Sequence, residues 1–545
     1  MKKYTVGIDF GTLSARAVVA KVENGEIMGA ASFDYPHAIM DEKLPCGKKL
    51  SRGWSLQHPQ DYLDALYFTV PAALKDAGVK GEEVAGLGVD FTCSTNLPTL
   101  SDGTPLCFLP EFENEPNAYV KLWKHHAESQ AEHVQKVARE MKLPWLKNSG
   151  NRISSEWPIP KLLQIKEEAP KAFEKTAYYL EAGEWMIWQL TGNLIRSANM
   201  SSIKNFYEAG KGYADPAFYE SVDPAFKGIL EGRMKGEVLS LSQRAGCLRA
   251  DMAEKLSLLP GTAVSTVMVD AQSGFFSAGL CEDGEMLTVL GTSACHLLLG
   301  KEDREDLWGI AAKAKEGTMP GLVTFEGNQP MGENLAWFID HACPAYCSEE
   351  AKEKGISLHQ LMNEKAATLQ PGANGLIALD WFNGNRCVLG DSKLSGMILG
   401  LTLKTKPEEI YRALMEASVY TMRSIVDNYE DQGLQVKKIV AVGGMARKSP
   451  LLMQIIADVL EKEVHVSAVR EAMALGAAII ASVAGEVYPD LFTAIRAMGQ
   501  PIEKTYYPGE NAGKYKPLFR EFMQLHDYFG RGGNDVMHRL ADGLE

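Results

Sequence analysis

Short β-branched runs and amphipathic stretches alternate along this chain in a definite order. Residues 4–8 read as a buried strand and 16–22 as a second, and Asn24-Gly25 is a hairpin turn into a third over 26–33. His58-Pro59 opens a helix over 60–77, with Tyr62, Leu66 and Val70 on one face. Residues 84–89 form a further strand, ending at Asp90-Phe91-Thr92.

Helical spacing follows at 118–142, 161–174 and 181–191, and Pro158 and Pro160 suit the start of the second of these. The stretch 197–250 reads as loop-rich. Near Leu259-Pro260-Gly261 the strand pattern restarts: 262–269 is strand-like, 270–280 turns into a helix, 285–290 is a strand and 296–299 continues beyond a turn. A long helix is predicted over 407–431, an apolar strand over 437–442, a helix over 451–460, and an Ala-rich helix over 472–484 whose Gly476 permits close packing. The charged C-terminal stretch reads as a surface helix. The β-β-β-α-β order at the start is that of the ribonuclease-H-like half of actin-type ATPases, and the second half echoes it. An α/β protein of two such domains is expected, over 1–258 and 259–500, with 501–545 a helical tail packing back on either.

Composition narrows the class. At 545 residues the chain exceeds one ordinary core, and 46% hydrophobic with 23% charged residues argues against disorder. A net charge of −14 disfavours a nucleic-acid binder but leaves phosphate binding by a few local donors open. The nine cysteines form no CxxC, and Cys343 and Cys347 lack a second pair, so reduced thiols and a cytoplasmic location are expected. Met1-Lys2-Lys3 runs straight into a strand carrying Asp9, which predicts no signal peptide, and no apolar run predicts a membrane span.

Each half carries a strand that ends in a Gly-Thr turn with a nearby serine: Asp9-Phe10-Gly11-Thr12-Leu13-Ser14 and Leu290-Gly291-Thr292-Ser293. Such a turn brings backbone N–H groups and hydroxyls to an anion, because glycine has no side chain in the way. The pair points to two domains facing one polyphosphate, and so to phosphoryl transfer. Asp9, at the end of a buried strand, costs desolvation energy unless it is paired or metal-bound. Beside a phosphate turn it can hold Mg²⁺ directly or through water, and a turn-forming Asp is the plainer alternative. Thr12, Ser14 and Arg16 can donate to phosphate, although a salt bridge would serve Arg16 equally well. Asp270, in Val267-Met-Val-Asp-Ala-Gln-Ser-Gly274, stands where a sugar kinase needs a carboxylate to accept a hydroxyl proton. A helix N-cap fits that position as well. Gly443-Gly444-Met445 follows a strand and opens a helix, so its backbone can approach a base or a phosphate, or simply turn. Residues 90–96 can present backbone and hydroxyl donors to a sugar. His125 and His126 read as facing different sides of a helix, a poor metal pair.

Taken together these residues resemble the FGGY carbohydrate kinases of the actin-like ATPase superfamily, and within them the ribulokinase group. The likeness is carried by Gly7-Ile-Asp-Phe-Gly-Thr-Leu-Ser-Ala-Arg16, Trp54-Ser-Leu-Gln-His-Pro-Gln-Asp-Tyr62, Gly88-Val-Asp-Phe-Thr92 and Ala118-Tyr-Val-Lys-Leu-Trp-Lys-His-His126. Ser154-Ser-Glu-Trp157, 185–192, 290–296 and Glu326-Gly-Asn-Gln329 extend it over nearly the whole chain. The resemblance implies two actin-like domains around an ATP/sugar cleft, and phosphorylation of the 5-hydroxyl of L-ribulose, a step of arabinose catabolism. It implies Asp270 as the base. Lys204, Glu326 and the backbone near Cys93 and Ser94 would hold the sugar. Gly291, Thr292 and Ser293 would hold the phosphates, and Gly443, Gly444 and Met445 the adenosine, with Asp9 and Thr12 near Mg²⁺ and the γ-phosphate. Its partners are then a small sugar and ATP, with no nucleic acid or membrane, and a homodimer is compatible with it. Three features depart from the ribulokinase pattern near the implied sugar pocket: Gln272 and Asn117 where histidine is usual, and 199–206, which lacks a Gly-Tyr before Lys204. They bear on the sugar more than on the reaction, leaving D-ribulose, xylulose or ribitol as alternative substrates. An actin- or chaperone-like ATPase is the alternative of another class.

Overall fold

The two halves of the chain build two seven-stranded sheets that share one pairing order. The computed structural model describes residues 2–305 and 307–543. The first sheet runs Arg244–Cys247, Ala263–Ser265, Val84–Phe91, Tyr4–Phe10, Ser14–Lys21, Ile27–Asp34, with Met268–Val269 also on Val84–Phe91. The second runs Ala312–Lys315, Val323–Pro330, Ser293–Gly300, Glu285–Leu290, Lys438–Val442, Val464–Ser467, Ile502–Tyr506. In each, a central strand, Tyr4–Phe10 or Glu285–Leu290, pairs antiparallel with the strand that follows its Gly-Thr turn. On its other side it pairs parallel with Val84–Phe91 or Lys438–Val442. Parallel pairing needs a crossover, and the helices Pro59–Ala77 and Pro407–Asp431 lie on the two crossovers. The two Gly-Thr turns thus occupy equivalent places in the two sheets.

Several elements differ from the sequence reading. The strands at 263–269, expected to open the second half, complete the first sheet: Val264 sits beside Leu87 and Val269 beside Phe91, both fully apolar pairings. The change of sheet falls between Val269 and Glu285, across the helix Asp270–Ser277. Only Glu128–Glu140 of the 118–142 stretch is helical; Val120–Lys121 is a strand between Leu56–Gln57 and Asn96. His125 and His126 therefore lie outside any helix. Their rings face different partners, Gln164 and Ser155. The loop-rich stretch contains the helices Ala198–Lys204 and Pro216–Val222. The C-terminal stretch supplies an edge strand of the second sheet, and its helix Ala512–Gly530 buries Tyr515 and Phe522 in that sheet's core.

The helix Ala472–Ala484 joins the halves. A Cβ on Gly7 would lie 1.9 Å from the Ala474 carbonyl oxygen, and one on Gly88 would lie 1.9 Å from that of Ala477. On the opposite side, Gly476 lies against the Ser273 carbonyl at the same close range. Around this helix Val18 and Ala20 of the first sheet share one core with Leu287 and Leu297 of the second. Among the described residues, no helix is long and apolar enough to cross a membrane.

Candidate active site

A cavity of about 780 Å³ opens between the sheets and is lined from both halves. Strand ends adjoin it. Asp9 and Asp90 are register partners on the neighbouring parallel strands Tyr4–Phe10 and Val84–Phe91. Met268–Val269 pairs with the end of Val84–Phe91 and delivers Asp270 at the start of the next helix. Three carboxylates so placed resist ionisation. Burial and the charges of Asp9 and Asp270 push Asp90 well above the usual carboxylate range. Burial raises Asp9 against the opposing pull of its neighbours Asp90 and Arg16. Burial and the charge of Asp9 push Asp270 up to about 7, although its own oxygen accepts a 2.7 Å hydrogen bond from the Ala271 N–H. Of the three, Asp9 is partly exposed while Asp90 is fully buried, and the hard oxygen donors of Asp9 suit Mg²⁺.

The Gly-Thr turns face the cavity. In the first, the Gly11 N–H donates to the Ser14 carbonyl at 3.0 Å, and in the second that of Gly291 donates to the Ser293 carbonyl at 3.2 Å. Thr12, Arg16, Gly291, Thr292 and Ser293 line the cavity; Gly11 and Ser14 stand just behind it. The Trp54–Tyr62 motif explains how Thr12 is held: Gln57 Nε2 donates to its carbonyl at 2.7 Å, and the Tyr62 hydroxyl donates to Gln57 Oε1 at 2.6 Å. Trp123 Nε1 donates to the Thr12 hydroxyl at 3.0 Å. Arg16 also reaches across to Glu471, 3.9 Å away on the other half. Gly443, Gly444 and Met445 do not line this cavity but adjoin it. Gly443 has a φ of 100°, and a Cβ there would lie 2.5 Å from the Leu290 carbonyl oxygen. The turn at 443–445 therefore lies beside the turn at 291–293.

Cys93 and Lys204 of the first half and Glu326 of the second sheet line the cavity with Asp270. Burial works against the charge of Lys204, but Cys93, Glu326 and Glu156 hold it above the ordinary lysine range. Ser94 is buried behind Cys93 with a φ of 61°, and Lys161 Nζ donates to its carbonyl at 2.7 Å. This contact fixes a strained loop conformation. Gln272 and Asn117 do not line the cavity. The Gln272 carbonyl oxygen accepts from Asn199 Nδ2 and from the Thr318 hydroxyl, both at 2.6 Å. Asn199 in turn accepts from the Val269 N–H at 2.7 Å, one residue before the Asp270 carboxylate. Two of the departures from the expected pattern are thus partners in one buried network that braces the Asp270 turn.

Two Gly-Thr turns, two strand ends that carry carboxylates and the buried carboxylate of Asp270 thus meet around one cavity, an arrangement suited to phosphoryl transfer. The sequence matches the N-terminal domain of the FGGY family of carbohydrate kinases over residues 4–277 and the C-terminal domain of that family over 286–485. The chain belongs to the FGGY carbohydrate kinases. A carbohydrate kinase takes a sugar and ATP. Curated proteins named ribulokinase, from Halalkalibacterium halodurans and Shouchella clausii, are 42% and 43% identical to this kinase. The first match covers 99% of this chain and 97% of the relative, the second 99% and 98%. The fold is similar to a ligand-bound xylulose kinase from Lactobacillus acidophilus, with a TM-score of 0.77, 17% identity, and coverage of 96% of this chain and 98% of that one. A xylulose kinase from Rhodospirillum rubrum gives 0.76 at 21% identity, with the same coverage. The architecture is the two-domain actin-like fold of the sugar kinases.

Sequence reasoning missed three cavity residues. Trp123 and Glu156 lay within recognised motifs without an assigned role, and Arg386 lay in none. Their signal is spatial: Trp123 binds Thr12 from 111 positions away.

Proposed function

We propose that this kinase is an ATP-dependent ribulokinase that transfers the γ-phosphoryl group of ATP to the 5-hydroxyl of L-ribulose. What supports the reading is one juxtaposition: Asp270, with Lys204, Glu326 and Cys93 around it, stands in one cavity with the two Gly-Thr turns. The extended similarity to proteins named ribulokinase supports the choice of sugar.

In this reading the two sheets are lobes that close on the cleft, hinged at Asp270–Ser277 and Ala472–Ala484. Lys204 and Glu326 hold sugar hydroxyls, and the loop at Cys93 and Ser94 closes over the sugar backbone. Asp270 accepts the O5 proton as O5 attacks phosphorus. Thr12, Gly291, Thr292 and Ser293 orient the phosphates, and Gly443–Met445 carries the adenosine. Asp9 would hold Mg²⁺, which neutralises phosphate charge when bound. Catalysis is then mostly positioning and charge neutralisation. All nine cysteines are free thiols, which supports a reducing, cytoplasmic setting.

A sugar panel tests the reading. ADP release coupled to a second enzyme is followed with L-ribulose, D-ribulose, L- and D-xylulose, ribitol and glycerol. The expected result is the highest kcat/KM with L-ribulose. A higher value with xylulose or a polyol moves the kinase to another substrate, and sugar-independent ATP hydrolysis alone would contradict the kinase role.

A further inference from the structure

A strap of chain over 383–391 lines the cleft. It leaves the second half beside the buried Trp381, and a Cβ on Gly390 would lie 2.8 Å from the Arg152 guanidinium of the first half. The strap is internally ordered. Asn385 and Asp391 exchange backbone hydrogen bonds of 2.9 and 2.7 Å, and Asn385 Oδ1 accepts from the Leu389 N–H at 3.0 Å. Arg386 projects from it into the cavity.

This arginine touches the second Gly-Thr turn directly and the first through Trp123. Its Nη1 donates to the Ser293 hydroxyl at 3.1 Å. Its guanidinium carbon lies 5.6 Å from the ring centre of Trp123, the residue that donates to the Thr12 hydroxyl. On the sugar side stands Glu156. Burial opposes the charge of that carboxyl, yet Arg386, Lys204 and His126 together hold it below its usual range. Arg386 therefore lies where the hydroxyls of the two turns meet the groups around Lys204. In a phosphoryl transfer, the group that occupies that junction is the one being transferred. A guanidinium fork matches two phosphate oxygens, which an ammonium does not. Asp270 lines the same cavity, with Asp9 and Asp90 on the adjoining strand ends, so charge arriving on the γ-phosphoryl group needs a fixed cation nearby.

We propose that Arg386 is a catalytic residue: its guanidinium, anchored on Ser293, binds the γ-phosphoryl group of ATP and stabilises the charge on its oxygens during transfer. The inference rests on the kinase reading of this same cleft. The bond from O5 to phosphorus forms, the bond from phosphorus to the β,γ-bridging oxygen breaks, the O5 proton passes to Asp270, and ADP leaves. Arg386 keeps its protons throughout.

The test compares nucleotides that differ only at the γ position. Binding of ADP and of the non-hydrolysable β,γ-imido analogue of ATP is measured by calorimetry, with Mg²⁺, for wild type, Arg386→Ala and Arg386→Lys. The expected result is ADP affinity within about twofold of wild type and analogue affinity weakened about tenfold or more in Arg386→Ala, with part of it regained in Arg386→Lys. Turnover should fall by roughly 10²–10³-fold with little change in the sugar KM, and guanidinium ion added to Arg386→Ala should restore some of it. Equal weakening of ADP and analogue, an effect confined to the sugar KM, or turnover near wild type would each overturn the assignment. Should Arg386→Ala fail to fold, Arg386→Lys carries the same comparison. The nucleotide comparison needs no sugar, so a failed sugar panel with a preserved γ-phosphate preference would count against the ribulose reading and leave Arg386 standing.

Discussion

Asp270 works against its own surroundings. A base must be ionised to accept a proton, and burial beside Asp9 pushes this carboxyl up to about 7. The folded state therefore holds the proton more tightly than the unfolded chain, whose carboxyl keeps its ordinary value of 3.8. For a group raised in this way, stability is fullest below the unfolded pKa and is lost as pH rises towards the folded one. Asp270→Asn removes that loss. In thermal melts without metal or nucleotide, its Tm should match wild type near pH 4 and exceed it by a margin that grows to about pH 7 and then levels. A margin that is flat or shrinks with pH would show that the carboxyl is not raised. Residues such as Asp9, Thr12, Asp270 and Gly291 were legible because each ends or follows an apolar strand, a local signal. Arg386 and Glu156 were not, because only the fold brings them together. Gln272 was legible as a departure, but its partner Asn199 is 73 positions away, and their hydrogen bond is invisible to spacing.

At the scale of elements, glycine sets how closely the helix Ala472–Ala484 approaches the first sheet. The backbone of that helix leaves no room for a side chain at Gly7 or Gly88. Gly88→Ala should destabilise the protein by about 3 kcal/mol or more, since the clash is with backbone and cannot be relieved by a rotamer change. Gly513→Ala serves as the control, because a Cβ there meets nothing within 4 Å and the site is helical. It should be neutral or slightly stabilising. Urea midpoints check both; an unchanged midpoint for Gly88→Ala would mean the helix stands further from the sheet. The long periodic elements, 59–77 and 407–431, were read from sequence nearly to the residue because amphipathic spacing continues through them. The 118–142 stretch was over-read. Its first part pairs with distant strands, and tertiary hydrogen bonding outweighs local spacing there.

At the scale of the molecule, one strand order used twice brings two Gly-Thr turns to one cavity, and the break between the sheets brings Asp270 to the same cavity. The duplication was legible as an echo, while the boundary was not. The strands after 259 have the apolar character of either sheet, and only pairing with Val84–Phe91 assigns them. In the proposed mechanism this geometry makes Asp270 the base for sugar phosphorylation. The direct measurement is kcat with L-ribulose together with ATP affinity, for wild type and Asp270→Asn at pH 8. The expected result is an ATP affinity within about threefold of wild type and a kcat at least about 10³-fold lower, the upper part of the range for a general base helped by positioning. A kcat near wild type would remove Asp270 from the reaction and with it the mechanism built on this cleft.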